Sequence, residues 1–166
     1  MADGHHMQTG QLFDDKTATF SPSRKYRYTL WRRWNEGPYA MFIGLNPSTA
    51  DETTDDPTVR RCIRFARDWG YGAMYMMNIF AIRATNPKVM LNDPEPIGPD
   101  NDYWLRTVGQ DAAIIVAAWG THGRHMDRGK AVLHLFSDVH CLKLTKDGIP
   151  GHPLYLRADS QPFRVA

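Results

Sequence analysis

Apolar positions change their period several times along the chain, and each change marks an element. From Lys25 onward Tyr26, Tyr28, Leu30 and then Arg32 alternate with Arg27, Thr29 and Trp31, which predicts a strand with one wetter face. Asn35-Glu36-Gly37-Pro38 reads as a turn, and residues 39–44 are a short apolar run that ends in Gly44-Leu45-Asn46-Pro47-Ser48. A hairpin is therefore expected to deliver a buried strand into a loop. Val59, Cys62, Ile63, Ala66 and Trp69 then recur at helical spacing, behind Asp56 as cap and Pro57 at the first helical position.

Residues 73–80 are almost continuously apolar, broken only by Asn78, as in a central strand. Residues 86–99 are proline-rich and read as a loop. Asp100 then caps a helix bearing Trp104, Leu105 and Val108, and residues 112–118 form another buried strand that closes at Trp119-Gly120. Residues 128–136 read as a helix, 140–144 as a fourth core strand, and 145–156 as a loop or strand margin. Residues 1–23 are polar and aperiodic, so they read as a flexible N-terminal arm before one α/β domain over 24–166.

Strand and helix alternate, which predicts a three-layer α/β/α sandwich with a central, mainly parallel sheet and an antiparallel edge hairpin. In such sheets ligands sit beyond the carboxyl ends of the strands. Asn46, Asn78, Gly120 and the loop Gly151-His152-Pro153 all fall at such ends, so their convergence on one pocket is the central expectation.

Composition narrows the function classes. With 166 residues, 42% hydrophobic and 23% charged, the chain suits an ordinary globular domain, and a net charge of +2 is too mild for a histone-like protein. Cys62 and Cys141 are far apart, which argues against a disulfide framework or a paired-cysteine zinc site. No long apolar run or signal-like start is present, so a cytoplasmic protein with no membrane partner is expected.

Several residues could carry chemistry. Pro47 stiffens Asn46, whose amide can both donate and accept and so can position a water or a carbonyl oxygen, or can simply close its own turn. Asn78 inside an apolar strand must find a partner, either a loop backbone or a ligand edge with a paired donor and acceptor. His152, between Gly151 and Pro153, is a surface residue or a group that stabilises an anionic leaving group, with Leu154 at the same loop tip able to wedge into a base stack. Trp119 and Tyr155 can stack on a base or belong to the core. Arg60, Arg64 and Arg67 lie on the other face of the first helix with Arg61 beside them, either as a solvated face or as a phosphate-contacting stripe of which Arg60, Arg61 and Arg64 are the expected contacts. His122 and His125 lack further ligands for a metal site, and Ser48 lacks the glycine-flanked elbow of a hydrolytic triad. Neither a cofactor nor a metal is called for.

Leu45-Asn46-Pro47-Ser48-Thr49-Ala50-Asp51, Asp56-Pro57-Thr58-Val59-Arg60-Arg61-Cys62, Asn78-Ile79-Phe80-Ala81, Trp119-Gly120 and Gly151-His152-Pro153-Leu154-Tyr155-Leu156 together resemble the family called domain of unknown function 1643. That resemblance brings no established activity. At a greater distance, Gly44-Leu45-Asn46-Pro47 resembles the water-positioning loop of the uracil-DNA glycosylase superfamily. There Asn78 looks like the asparagine that reads the pyrimidine edge, and His152-Pro153 with Leu154 looks like the loop that stabilises the departing base.

The second resemblance implies a uracil-DNA-glycosylase-like fold and an N-glycosidic hydrolase or related base-processing enzyme acting on DNA or nucleotides. Its catalytic residues would be Asn46 and His152, with Gly44, Leu45, Pro47, Ser48, Asn78, Trp119, Pro153, Leu154 and Tyr155 around the base. A non-catalytic nucleic-acid or nucleotide binding module is the alternative. The chain departs from the superfamily in having no cysteine set for an iron-sulfur cluster, Asn46 in place of an acidic base, and no serine after Pro153. The acidic run Asp51, Glu52, Asp55 and Asp56 beside the expected pocket would repel a phosphate backbone unless it is turned away or offset.

Overall fold

The fold is that of a computed structural model in which residues 15–166 are described. Its strands are β1 (Lys16–Phe20), β2 (Arg27–Arg33), β3 (Tyr39–Gly44), β4 (Ala73–Asn78), β5 (Ile114–Ala117), β6 (His140–Cys141) and β7 (Phe163–Arg164). They form one seven-stranded sheet in the order β1-β2-β4-β3-β5-β6-β7. The strands β4, β3, β5 and β6 run parallel, while β1, β2 and β7 add antiparallel margins. The sheet is thus mixed rather than mainly parallel.

Four α-helices are present among the described residues: α1 (Pro57–Asp68), α2 (Pro87–Asn92), α3 (Asn101–Gln110) and α4 (Arg128–Leu133). Helix α1 begins where the sequence places it: Asp56 is extended, its carboxylate accepts from the Val59 N–H at 2.9 Å, and Pro57 occupies the first turn. Its buried stripe is Val59, Cys62, Phe65 and Ala66. Side chains alternate across each strand, so Ala40, Phe42, Met74, Met76 and Val116 meet that stripe on one face. Met41, Ile43, Met77, Ile115 and Ala117 meet Leu105, Val108 and Val132 of α3 and α4 on the other. Each fully buried Phe, Met or Ile contributes about 2 kcal/mol through lost water contact.

Several expectations change. The turn after β2 does not fold β3 back onto it, because β4 inserts between them, pairing Trp31 with Tyr75 and Arg32 with Met74. Insertion is possible because Gly72 has no side chain: a Cβ there would collide with the Glu36 carbonyl, whereas the bare backbone bonds from Trp34 and Asn35 N–H to Gly72 O at 3.1 and 3.0 Å. The edge hairpin is β1–β2 instead.

The arm expected over residues 1–23 is also interrupted: residues 1–14 lie outside the described residues, but Lys16–Phe20 pairs along β2 from Lys16↔Arg32 to Phe20↔Arg27. The expected wet face of β2 is also absent: Arg27 and Thr29 are as buried as Tyr28 and Leu30. Finally, the expected fourth core strand is paired only over His140–Cys141, and the loop expected over 86–99 contains α2, capped by Asn86 and begun by Pro87.

Candidate functional site

The four parallel strands are ordered second-first-third-fourth in chain sequence. From β3 the chain passes through α1 to one side, then returns through α3 to the other, so the carboxyl ends of β3 and β5 splay their loops apart at a topological switch point. A cleft of about 780 Å³ opens there, within the size range of small-molecule sites. Of the residues expected around a base, Gly44, Leu45, Asn46, Pro47, Ser48, Asn78, Trp119, His152, Leu154 and Tyr155 line it. Pro153 is the buried first residue of the short 3-10 turn Pro153–Tyr155 and lies outside that lining.

Gly44 and Asn78 are register partners at the ends of β3 and β4. A Cβ at Gly44 would sit 2.7 Å from Met76 Cε and 3.0 Å from Asn78 Nδ2, so only glycine leaves the amide its place. Asn78 is 3% exposed. Its Oδ1 accepts from Arg27 at 3.2 Å, its backbone carbonyl accepts from Asn101 Nδ2 at 2.9 Å, and its own Nδ2 has no partner among the described residues. Because a guanidinium can only donate, the amide orientation is set, with the NH₂ group left for a ligand.

Asn46 is held differently. Its Nδ2 donates to Ala84 O at 2.8 Å and Pro47 O at 3.1 Å, which ties the loop after β3 to the loop after β4. The Ala84 N–H to Pro47 O bond at 2.9 Å completes that tie. The turn-closing role is therefore present, and Oδ1 remains as an acceptor. Ser48 Oγ is within 3.3 Å of Thr85 Oγ1 across the same two loops.

The opposite wall is the His152 loop. Gly120 N–H donates to Pro150 O at 2.9 Å, and Gly120 has φ +77°, a torsion that favours glycine. His152 is half-buried, and its Nδ1 accepts from the Leu154 N–H at 3.2 Å. The neutral ring therefore carries its proton on Nε2, and burial lowers the pKa below the ordinary 6.5, opposed by the negative charge of Asp56. Leu154 and Tyr155 stand exposed at the rim, with the Tyr155 ring 5.4 Å from that of His152.

The arginines expected on phosphate do not reach the lining. Arg60 and Arg64 are exposed on α1, where Arg60 donates to Asp55 O at 2.9 Å, and Arg61 holds Leu156 O and stacks on Phe65. The acidic run is neutralised from β2 and the segment before it: Arg24 pairs with Glu52 at 2.7 Å and buried Arg32 with Asp55 at 2.8 Å, while Asp51 caps its own loop. Only Asp56 of that run lines the cleft. His122 lines it too, whereas His125 packs on Phe80, so the two histidines part.

The sequence reading missed Arg27 as a site residue, along with Asp56, Thr58, Lys143 and Thr145 of the lining. An arginine between Tyr26 and Tyr28 was the available signal that Arg27 is buried, whereas its lack of a carboxylate partner left none.

Among known proteins, residues 27–154 match the family described as "Protein of unknown function (DUF1643)". No curated protein and no solved structure matches the chain.

Proposed function

The chain belongs to the DUF1643 family, whose description states no activity, and from the cleft we propose a nucleobase-recognising protein that hydrolyses N-glycosidic bonds in the manner of uracil-DNA glycosylases. The observation that carries this reading is Asn78: a buried carboxamide, fixed in orientation by Arg27, with a free NH₂ facing a base-sized cleft. Its Nδ2 donates to a base carbonyl, and its Oδ1 keeps a second lone pair for a base N–H.

Asn46 Oδ1 accepts from a water and aims its oxygen at the sugar carbon. That oxygen forms the new bond, the glycosidic bond breaks, and its electron pair leaves on the base. The His152 Nε2–H then donates to the base oxygen where negative charge collects, and Asp56, the one carboxylate in the lining among the described residues, takes the proton from the water. Loss of one such donor costs on the order of 10²-fold in rate.

Oligonucleotides carrying uracil, mismatched thymine, hypoxanthine or bulky modified pyrimidines, treated with alkali after incubation, test the reaction by strand breaks at abasic sites. Product is expected with the natural chain and a drop of about 10²-fold with His152→Ala. Undiminished product with Asn46→Ala, or none on any substrate, overturns the hydrolytic reading.

One observation favours a second reading, a binding module for nucleic acid or nucleotide. The Asn46 amide nitrogen is already committed to loop carbonyls, as in a purely structural turn. A retained nucleotide in the absorbance spectrum of the purified protein, without abasic product, supports it.

A further inference from the structure

Three arginines of this chain are buried: Arg27, Arg32 and Arg128. Arg32 pairs with Asp55 and Arg128 with Asp102. Arg27, 2% exposed, has no carboxylate partner among the described residues. Its Nη1 donates to Ala50 O and its Nη2 to Asn78 Oδ1, both at 3.2 Å, while its Nε is sealed from solvent with no acceptor. Burial lowers its pKa from the ordinary arginine range to about 10, opposed by Asp56, so it stays charged at neutral pH.

A desolvated guanidinium with two neutral acceptors and spare N–H groups is costly, and an anion is what offsets such a cost. Of the three, only Arg27 lines the cleft. Among the described residues the lining also holds Lys143, His122 and His152 against the single carboxylate of Asp56, whose Oδ1 is engaged with the α1 amide of Val59.

We infer that Arg27 is an anion anchor, and that the natural ligand of the cleft is a small molecule carrying an oxyanion, a phosphate monoester or a carboxylate, which accepts from the spare Arg27 N–H groups. At 2% exposure Arg27 lies deep in the cleft lining, where the anion of a free, nucleotide-sized ligand reaches more readily than the backbone of a polymer. The inference concerns the charge of the ligand and holds whether or not the cleft cleaves a glycosidic bond.

Calorimetric titration in phosphate-free buffer at constant ionic strength tests it, with four probes: 2′-deoxyuridine, 2′-deoxyuridine 5′-monophosphate, uracil, and uracil bearing a 6-carboxylate. At least one anionic probe is expected to bind about tenfold or more tighter than its neutral counterpart, as a charge-assisted hydrogen bond implies. The monophosphate arm winning assigns a phosphate ester, and the carboxylate arm winning assigns a carboxylate. Arg27→Met should remove the preference. Asn78→Asp supplies an internal carboxylate to Arg27, so it should raise the melting temperature of the unliganded protein and also abolish the preference, which keeps the test open if Arg27→Met does not fold. Equal binding of anionic and neutral probes, no binding of any probe, or a preference unchanged in a folded variant overturns the anchor. Strand breaks at abasic sites are read separately, so failure of either idea is visible on its own.

Discussion

Gly44 and His152 show how single positions set the cleft. A Gly44→Ala methyl would displace the flexible end of Met76 at modest cost but would also press on Asn78 Nδ2, which Arg27 holds in place. We expect a stability loss of about 1 kcal/mol in chemical denaturation, from overpacking, with a much larger loss of ligand binding. Equal losses in both would detach Gly44 from the site. His152 should titrate below 6.5 by NMR, because burial opposes its charge more than Asp56 favours it. A folded pKa below the unfolded one means the neutral ring adds stability above about pH 6.5, and that stability is lost as pH falls through the folded pKa. Protonation at Nδ1 removes the acceptor for the Leu154 N–H that positions the ring, so activity that relies on that placement should fall over the same acid limb; a pKa at or above 6.5 contradicts the burial. Both residues were legible in the sequence because glycine at a strand end and histidine between glycine and proline are locally odd. Arg27 was not, since what makes it unusual is the absence of a carboxylate, and only folding reveals which acids are near.

Among the elements, α1 was readable to its ends, since cap, proline and apolar stripe are all encoded within a few residues. The same cap-and-proline signature begins α2 at Asn86 and Pro87, but prolines at 94, 96 and 99 made the segment look irregular. Strand partners were beyond reach for a different reason. Pairing of β2 with β4 depends on the close approach of Gly72 to the 34–36 backbone, a contact across some thirty-five residues, of the order of the Trp34 to Tyr71 spacing of 37. The cap of α1 gives a clean separation of structure from chemistry. Asp56→Ala should cost about 1 kcal/mol by thermal melting, whereas Asp56→Asn keeps the capping oxygen and should cost only a few tenths. If Asp56 takes the proton in the proposed hydrolysis, the Asn variant should be stable yet slow; a stable and fully active variant removes the carboxylate from the mechanism.

At the scale of the whole molecule, one buried side chain of β2 secures the loop that leads into the cleft. Arg32 pairs with Asp55 and donates to the carbonyls of Asp51 at 2.7 Å and Glu52 at 3.3 Å. Arg32→Met would strand those acceptors and is expected to destabilise the fold on the order of 3 kcal/mol in denaturant; a loss under about 1 kcal/mol would mean the loop is held by its own turns. The α/β layering, the strand-end cleft and an antiparallel edge followed from alternation of elements, while β1 and β7 as further antiparallel margins did not, because strands so short leave no distinct pattern. Trp119 is 3% exposed, wedged against Gly123 and Gly129, and lines the cleft. An indole so shielded emits toward the blue, and an aromatic ring laid against it would quench that emission, so the protein carries its own fluorescent reporter of occupancy, one that Trp119→Phe would switch off.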